Sequence, residues 1–223
     1  MPTSSEGRVL PAPSRADRNI QAASKGHCTA FAVLGLGAGT RVQAESKLEL
    51  DHLRLQASRP DVADIREQVL FLFGRRDEGS HVFDMVVTLT SGTRTAFTVK
   101  PEAELASGRF VEKMQRIAWW VHQRGFADAV RLLTDADLDP VAQHNANIDA
   151  ALRDVDDAAD SAARGLVRAL RGVASIRDLT GRLGLEERGY RALLRLIRQG
   201  ELSPVSRQCI TPCTLVEWKG QLT

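Results

Sequence analysis

The chain has 223 residues, of which 43% are hydrophobic and 26% are charged, and its formal net charge is +2. This is an ordinary soluble composition, and no stretch approaches the run of about 20 apolar residues that a membrane span requires. The first residues lack the basic and apolar regions of a secretory signal, so we expect a cytoplasmic protein. The chain has an odd number of cysteines, Cys28, Cys209 and Cys213, and we expect no disulfide in a reducing compartment.

The first 40 residues predict an arm followed by a strand and a turn. Residues 1–24 are rich in Ser, Pro, Ala and Arg without an apolar period, which is typical of a flexible arm. Residues 25–40 then combine an apolar run with three glycines. A glycine-rich loop can present N–H groups to a phosphate, but GLGAG lacks the Gly-Lys-Ser/Thr ending of such loops. We therefore favour a plain strand and turn.

Apolar periodicity predicts an α/β domain over residues 25–140. The predicted elements are a helix over 44–57, a strand over 62–73, a hairpin over 81–101, a helix over 109–124 and a strand over 128–134. A helix between two strands implies a crossover, so at least part of the sheet should be mixed or parallel. Trp119 and Trp120 cannot both point inward, so one should pack on the sheet and the other meet a neighbouring segment or a partner.

The part of the chain after residue 140 predicts a second domain, over 141–223. One or two helices should end near Gly172, and residues 175–219 have the layout of a winged helix: a capped helix, a turn, a second helix and the strands of a wing. Residues 161–223 hold eleven Lys and Arg against five Asp and Glu, whereas residues 135–160 hold eight aspartates and one arginine. A basic segment therefore follows an acidic one.

The second helix of the expected winged helix carries an arginine-rich face. Leu193, Leu194 and Ile197 should face the core of that domain. The outer face should carry four arginines: Arg188, Arg191, Arg195 and Arg198. Such a face either meets DNA phosphates or grips another protein, because helix-turn-helix units serve both purposes.

Three residues in the first domain have the chemistry of a metal-dependent phosphodiesterase. Glu49 lies on the first helix, Asp84 lies midway along a strand, and Lys100 ends the next strand. Carboxylates can hold Mg²⁺ or Mn²⁺, which polarises a phosphodiester and lowers the pKa of a bound water. A lysine beside them can orient that water or neutralise charge in the transition state.

The motifs around these residues resemble the TnsA family, the endonuclease subunit of heteromeric cut-and-paste transposases. The likeness lies in ESKLELDHL, DVADIREQ, VFDMVV and VKP, followed by a long helix, LLTD and NID. It implies a restriction-endonuclease-like fold, with a mixed sheet flanked by helices, and a Mg²⁺ or Mn²⁺ cofactor. It also matches Glu49 and Asp84 to the metal-binding acids of the family and Lys100 to the lysine of its Gln-x-Lys ending.

The chain departs from the family pattern at one position of the expected site. Thr98 occupies the place of the glutamine, and its single hydroxyl oxygen on a short arm would bind a metal weakly or through a water. The Val99 carbonyl is a further expected metal ligand. Glu45 and Glu102 are candidate substitutes, since a helix would bring Glu45 to the same face as Glu49.

The resemblance implies a DNA endonuclease that cuts the 5′ ends of a transposon. Its partners would be a DDE-type transposase resembling TnsB and an AAA+ regulator resembling TnsC. Two alternatives stay open: an adaptor subunit that has lost cleavage and links these two partners at the transposon ends, and a stand-alone nuclease of the same fold.

Overall fold

The computed structural model describes residues 9–20 and 29–220, which form two compact units, Met1–Asp137 and Leu138–Thr223. The expected boundary fell at residue 140. Parts of the expected flexible arm, residues 1–8 and 21–24, lie outside the described residues, as does Cys28. The described part of that arm, residues 9–20, is hydrogen-bonded along the first unit. No helix in the described ranges is long and apolar enough to cross a membrane.

The first unit is a mixed four-stranded sheet between helices, which confirms the predicted α/β class. It begins with an antiparallel hairpin, β1 (Ala30–Leu34) and β2 (Thr40–Ala44), and a helix, α1 (Lys47–Ala57). The sheet contains β3 (Val62–Phe73), β4 (Gly79–Leu89), β5 (Arg94–Val99) and β6 (Ala129–Leu133), in that order. The β5 and β6 strands are parallel, and α2 (Arg109–Gln123) joins them. A crossover is required because parallel neighbours cannot be linked by a tight turn.

Each face of the sheet packs against one helix through apolar side chains. On one face the buried residues of α2 are Met114, Ile117 and Val121, and they share a cluster with Phe71, Phe83, Val86 and Ala96. On the other face the buried apolar residues of α1 are Leu50 and Leu53, and they share a cluster with Met85, Val87, Phe97 and Val99. In β4 the side chain of Phe83 therefore faces α2, whereas that of Met85 faces α1. The regular alternation of the strand is interrupted between these two residues.

The start of α1 differs from the sequence prediction. The helix was expected from Ala44, but Ala44 ends β2 and Lys47 is the first helical residue, because Ser46 is the N-cap. The preceding glycines form the turn of the hairpin, as predicted for that segment. At Gly39, where φ is +65°, a Cβ atom would lie 2.4 Å from the Leu34 carbonyl oxygen, so only glycine fits this turn.

The second unit packs four helices and a small antiparallel sheet around its own core. Its helices are α3 (Pro140–Ala151), α4 (Asp157–Arg168), α5 (Ile176–Leu183) and α6 (Glu186–Arg198). Its strands are β7 (Val173–Ser175), β8 (Leu202–Pro204) and β9 (Leu215–Trp218), with β9 in the centre. The predicted cap at Ser175 is confirmed, since its hydroxyl accepts a hydrogen bond from the Asp178 N–H. The short strand β7 was not predicted.

Candidate functional site

Glu49 occupies the first turn of α1 and forms a variant of the capping box, in which its carboxylate accepts from the N–H of Glu45 instead of the N–H of the N-cap residue Ser46. Ser46 accepts a hydrogen bond from the Glu49 N–H at 3.1 Å, and its hydroxyl donates to Glu49 Oε1 at 3.0 Å. Glu49 Oε2 accepts from the Glu45 N–H at 2.8 Å. The Ser-x-x-Glu spacing of residues 46–49 is the sequence signal for this arrangement. Glu49 is therefore a structural residue of the helix as well as a candidate metal ligand.

Asp84 lies in the middle of β4 and is tied to the adjacent strand. Its Oδ2 accepts a hydrogen bond from the Val99 N–H at 2.7 Å. Burial, and after it the neighbouring Glu49 carboxylate, raises the pKa of Asp84 to about 7, although the Val99 N–H and the Lys100 ammonium act in the opposite direction. Burial also raises the pKa of Glu49. The two acids are thus close enough to repel each other in a poorly solvated place.

Lys100 completes this cluster from the end of β5. Its backbone N–H donates to the Leu133 carbonyl, which fixes the strand end against β6. Its ammonium lowers the pKa of both Glu49 and Asp84 and lies 3.8 Å from Glu104 Oε2. The structure therefore brings Glu49, Asp84 and Lys100 into one electrostatic cluster.

One of the two substitute ligands expected from the sequence lies near the cluster. Glu45 precedes the N-cap of α1, so it does not share a helical face with Glu49, and its carboxylate pairs with Arg18 at 2.5 Å. Its charge nevertheless raises the pKa of both Glu49 and Asp84, so the carboxylate is close to the two acids. Glu102 is exposed in a short 3-10 helix, Glu102–Leu105, and its N–H donates to Asp135.

Thr98 is buried and hydrogen-bonded to His81, which the sequence had not placed in the site. Thr98 is 2% exposed, and its Oγ1 lies 2.9 Å from His81 Nε2. Burial first, then the Lys113 and Lys100 ammonium groups, lowers the pKa of His81 to about 4. Its imidazole is therefore neutral at neutral pH. Strand alternation from Asp84 had put His81 on the other side of β4, and its contacts agree with that: its ring packs against Phe83 of the α2 cluster, whereas Asp84 interacts with Glu49 of α1.

Gln68 lies where the β3–β4 ladder is interrupted, and it adds a side-chain amide to the site. It lies across from Asp84, between the ladder pairs Glu67↔Met85 and Val69↔Phe83, and its φ of 48° interrupts the strand. Its side chain is fully buried, and its Nε2 donates to Glu49 Oε2 at 3.4 Å. The IREQ motif contains this residue, but only the folded sheet shows its contact with Glu49.

The donor chemistry of the cluster fits Mg²⁺ with water completing the ligand set. Mg²⁺ prefers oxygen ligands and is usually held by one or two carboxylates while keeping several waters. Glu49 and Asp84 supply two carboxylates, and a cation between them would offset the burial and the nearby negative charge that raise their pKa values. No group of three or more His, Cys, Asp or Glu side chains among the described residues is placed to hold a metal. A metal bound here therefore needs water, or the Thr98 hydroxyl and Val99 carbonyl.

The arginines of α6 are engaged inside the second unit. Arg195 was expected on the outer face, but it is 4% exposed and its guanidinium pairs with Asp160 of α4 at 2.6 Å. The other three bind the end of α3 and the segment that follows it: Arg188 pairs with Asp156, Arg191 donates to the Ala151 carbonyl, and Arg198 donates to the Asp149 carbonyl. Groups 32–49 residues away in sequence, two of them backbone carbonyls, thus satisfy this face.

No protein-family model matches the chain, and a search of the curated proteins found no match. The likeness to TnsA accordingly rests on the sequence motifs alone.

Proposed function

We propose that the chain is a metal-dependent DNA endonuclease subunit of a heteromeric transposase, which cuts the 5′ ends of a transposon. The observation that carries this proposal is the cluster of Glu49, Asp84 and Lys100, in which burial raises the pKa of both acids, the Glu49 carboxylate raises that of Asp84 further, and the Lys100 ammonium lowers both. Like charges in a poorly solvated place destabilise a fold. The presence of Glu49 and Asp84 together therefore favours a role for both acids in binding a cation.

In this proposal each residue has a separate task. Glu49 and Asp84 hold Mg²⁺ or Mn²⁺, with the Val99 carbonyl and Thr98 as further ligands, and the bound ion polarises a phosphodiester and lowers the pKa of a water. The Val99 N–H keeps Asp84 oriented. Lys100 offsets the negative charge of the phosphate and orients the attacking water.

Two features of the fold support the proposal. A mixed sheet with a parallel β5–β6 pair, flanked by α1 and α2, is compatible with a restriction-endonuclease-like domain. In the second unit the order α4-β7-α5-α6-β8-β9, with β9 between β7 and β8, fits a winged helix. We propose that this unit contacts transposon-end DNA or the partner proteins, a DDE transposase and an AAA+ ATPase.

The second candidate is an adaptor subunit that no longer cleaves. Two observations favour it: the Thr98 hydroxyl is hydrogen-bonded to His81, and both oxygens of Glu49 already accept hydrogen bonds at the start of α1. An adaptor would bind the transposon ends and both partners with its first unit catalytically silent.

The test compares the parent protein with Asp84→Ala and Thr98→Gln on transposon-end DNA, in Mg²⁺ and in Mn²⁺, with the partner transposase present. The endonuclease proposal expects the parent to nick the 5′ ends and Asp84→Ala to be inactive, and that result excludes the adaptor. If the parent and Asp84→Ala are both inert and only Thr98→Gln cuts, the parent is an adaptor. Cutting of DNA without transposon ends and without partners supports the stand-alone nuclease.

A further inference from the structure

The segment from residue 9 to residue 20 covers the outer edge of β3 beside the acidic cluster. Its backbone is joined to the hairpin through Ala12, which donates to the Gly39 carbonyl and accepts from the Arg41 N–H, both at 2.9 Å. Further along, the Asp17 N–H donates to the Gln68 carbonyl at 3.0 Å, and the Asp17 carboxylate accepts from the Leu70 N–H at 2.9 Å. These bonds fix the segment at the point where β3 is interrupted.

From this segment Arg18 reaches the amide of Gln68. One guanidinium nitrogen of Arg18, Nη2, lies 3.0 Å from Gln68 Oε1 and 2.5 Å from Glu45 Oε1. The Arg18 carbonyl accepts from Gln43 Nε2 at 2.9 Å, and Gln43 is 5% exposed. The arginine is therefore anchored through its backbone while its side chain extends toward the cluster.

The chemistry of these groups fixes the orientation of the amide. A guanidinium has only donors, so it binds the oxygen of the Gln68 amide and leaves the nitrogen to face the other way. That nitrogen, Nε2, donates to Glu49 Oε2. If the amide rotated by half a turn, its oxygen would face the carboxylate, and the Arg18 and Glu49 hydrogen bonds would both be lost.

We propose that Arg18 is a positioning residue for the acidic cluster: it orients the Gln68 amide so that its N–H holds the Glu49 carboxylate. This inference rests on the proposed function in assigning the cluster to a metal. It adds that the N-terminal segment supports the metal site, since Arg18 hydrogen-bonds both Gln68, whose amide donates to the Glu49 carboxylate, and Glu45, whose backbone N–H donates to the same carboxylate. Partners that lie behind metal ligands typically contribute 10-fold to 100-fold to metal affinity.

The experiment compares Arg18→Gln with Arg15→Gln in the full chain. Arg15 lies in the same segment, its side chain is 46% exposed against 48% for Arg18, and it pairs with Asp64 of β3 at 2.5 Å. Loss of Arg15 thus removes a similar attachment to β3 without touching Gln68. Arg18→Lys keeps a donor-only cation and tests rescue.

Two readouts are needed. In metal-free protein, NMR of the Gln68 side-chain amide should show a shift in Arg18→Gln, near-parent signals in Arg18→Lys and parent signals in Arg15→Gln. In Mn²⁺ titrations the dissociation constant should rise about 10-fold to 100-fold for Arg18→Gln, and less than about 3-fold for the other two variants.

The two readouts distinguish a failure of the positioning role of Arg18 from a failure of the metal assignment. An unchanged Gln68 amide in Arg18→Gln, or equal losses of Mn²⁺ affinity in the Arg18 and Arg15 variants, overturns the positioning role. A parent protein that binds no Mn²⁺ overturns the metal part of the inference and counts against the proposed endonuclease, while the NMR comparison still decides whether Arg18 orients the amide.

Discussion

The imidazole of His81 hydrogen-bonds the hydroxyl of Thr98 across two neighbouring strands, Nε2 to Oγ1 at 2.9 Å. The resemblance to TnsA places Thr98 where that family carries glutamine, and His81 occupies space that a longer side chain at position 98 would need. Because Thr98 is 2% exposed, that space is closed to solvent.

Thr98→Gln should therefore destabilise the protein unless His81 is also removed. We expect the free energy of unfolding to fall by about 1–3 kcal/mol, the usual cost of overpacking. His81→Ala combined with Thr98→Gln should regain part of that loss. Urea denaturation of the single and double variants checks this, with Thr90→Gln at an exposed position as the control. A single variant as stable as the parent would show that the pocket is not closed.

Asp84→Asn should stabilise the metal-free protein at about pH 8. The pKa of Asp84 is raised from 3.8 to about 7, so the folded state binds more protons than the unfolded state between these values and loses stability as pH rises through them. Asparagine removes that loss and still accepts the Val99 N–H. We expect a gain of about 1–3 kcal/mol above pH 7 and none below about pH 4.

Thermal denaturation across this pH range measures the difference between Asp84→Asn and the parent. Asp61→Asn is the control, because Arg59 lowers the pKa of that exposed carboxyl and no gain is expected. Mg²⁺ should raise the melting temperature of the parent and leave that of Asp84→Asn unchanged. A variant less stable than the parent at high pH would contradict the raised pKa of Asp84.

Cleavage of transposon-end DNA should increase with pH through about 7. Asp84 binds a cation as the carboxylate, and its pKa of about 7 leaves much of it protonated in more acidic solution. Raising the Mg²⁺ concentration should shift the midpoint to lower pH, because metal and proton compete for the same oxygens. Single-turnover nicking rates at two Mg²⁺ concentrations test this, and a rate that falls with pH would argue against Asp84 as a ligand.

The sequence predicted the elements that depend on local pattern and missed contacts that depend on distant partners. Apolar periodicity was sufficient for the sheet strands and for α2, since each buries one face. The hydrogen bond between His81 and Thr98 was missed because it joins side chains 17 residues apart on two strands, and no local pattern links them. The burial of Arg195 was mispredicted because its partner, Asp160, is 35 residues away and no local pattern links them.

Arg195→Ala should destabilise the second unit far more than Arg188→Ala. The side chains of Arg195 and Asp160 are only 5% and 6% exposed, so removal of one leaves an unpaired buried charge, at a cost of about 3–5 kcal/mol. Arg188 pairs with Asp156 but is 59% exposed, so its loss should cost far less than the loss of Arg195. Denaturation monitored in the second unit provides the comparison.

The difference in stability between Arg195→Ala and Arg188→Ala also decides how a loss of DNA affinity is interpreted in each variant. A weaker DNA complex in Arg195→Ala would follow from unfolding, whereas a weaker complex in the stably folded Arg188→Ala would support phosphate contact by α6. Similar stabilities for the two variants would contradict the burial of the Arg195–Asp160 pair.

Glu49→Gln should remove the metal-binding role of Glu49 and keep its capping role at the start of α1. Ser46→Ala should do the reverse. Glutamine can complete a capping box, so Glu49→Gln should keep α1 and the stability of the parent to within about 1 kcal/mol. It removes a carboxylate, however, and should abolish Mn²⁺ binding and cleavage. Ser46→Ala removes the cap and should cost about 1 kcal/mol while Mn²⁺ still binds. If Glu49→Gln binds Mn²⁺ as the parent does, Glu49 serves only to cap the helix, and the cluster loses one of its two acids as a ligand.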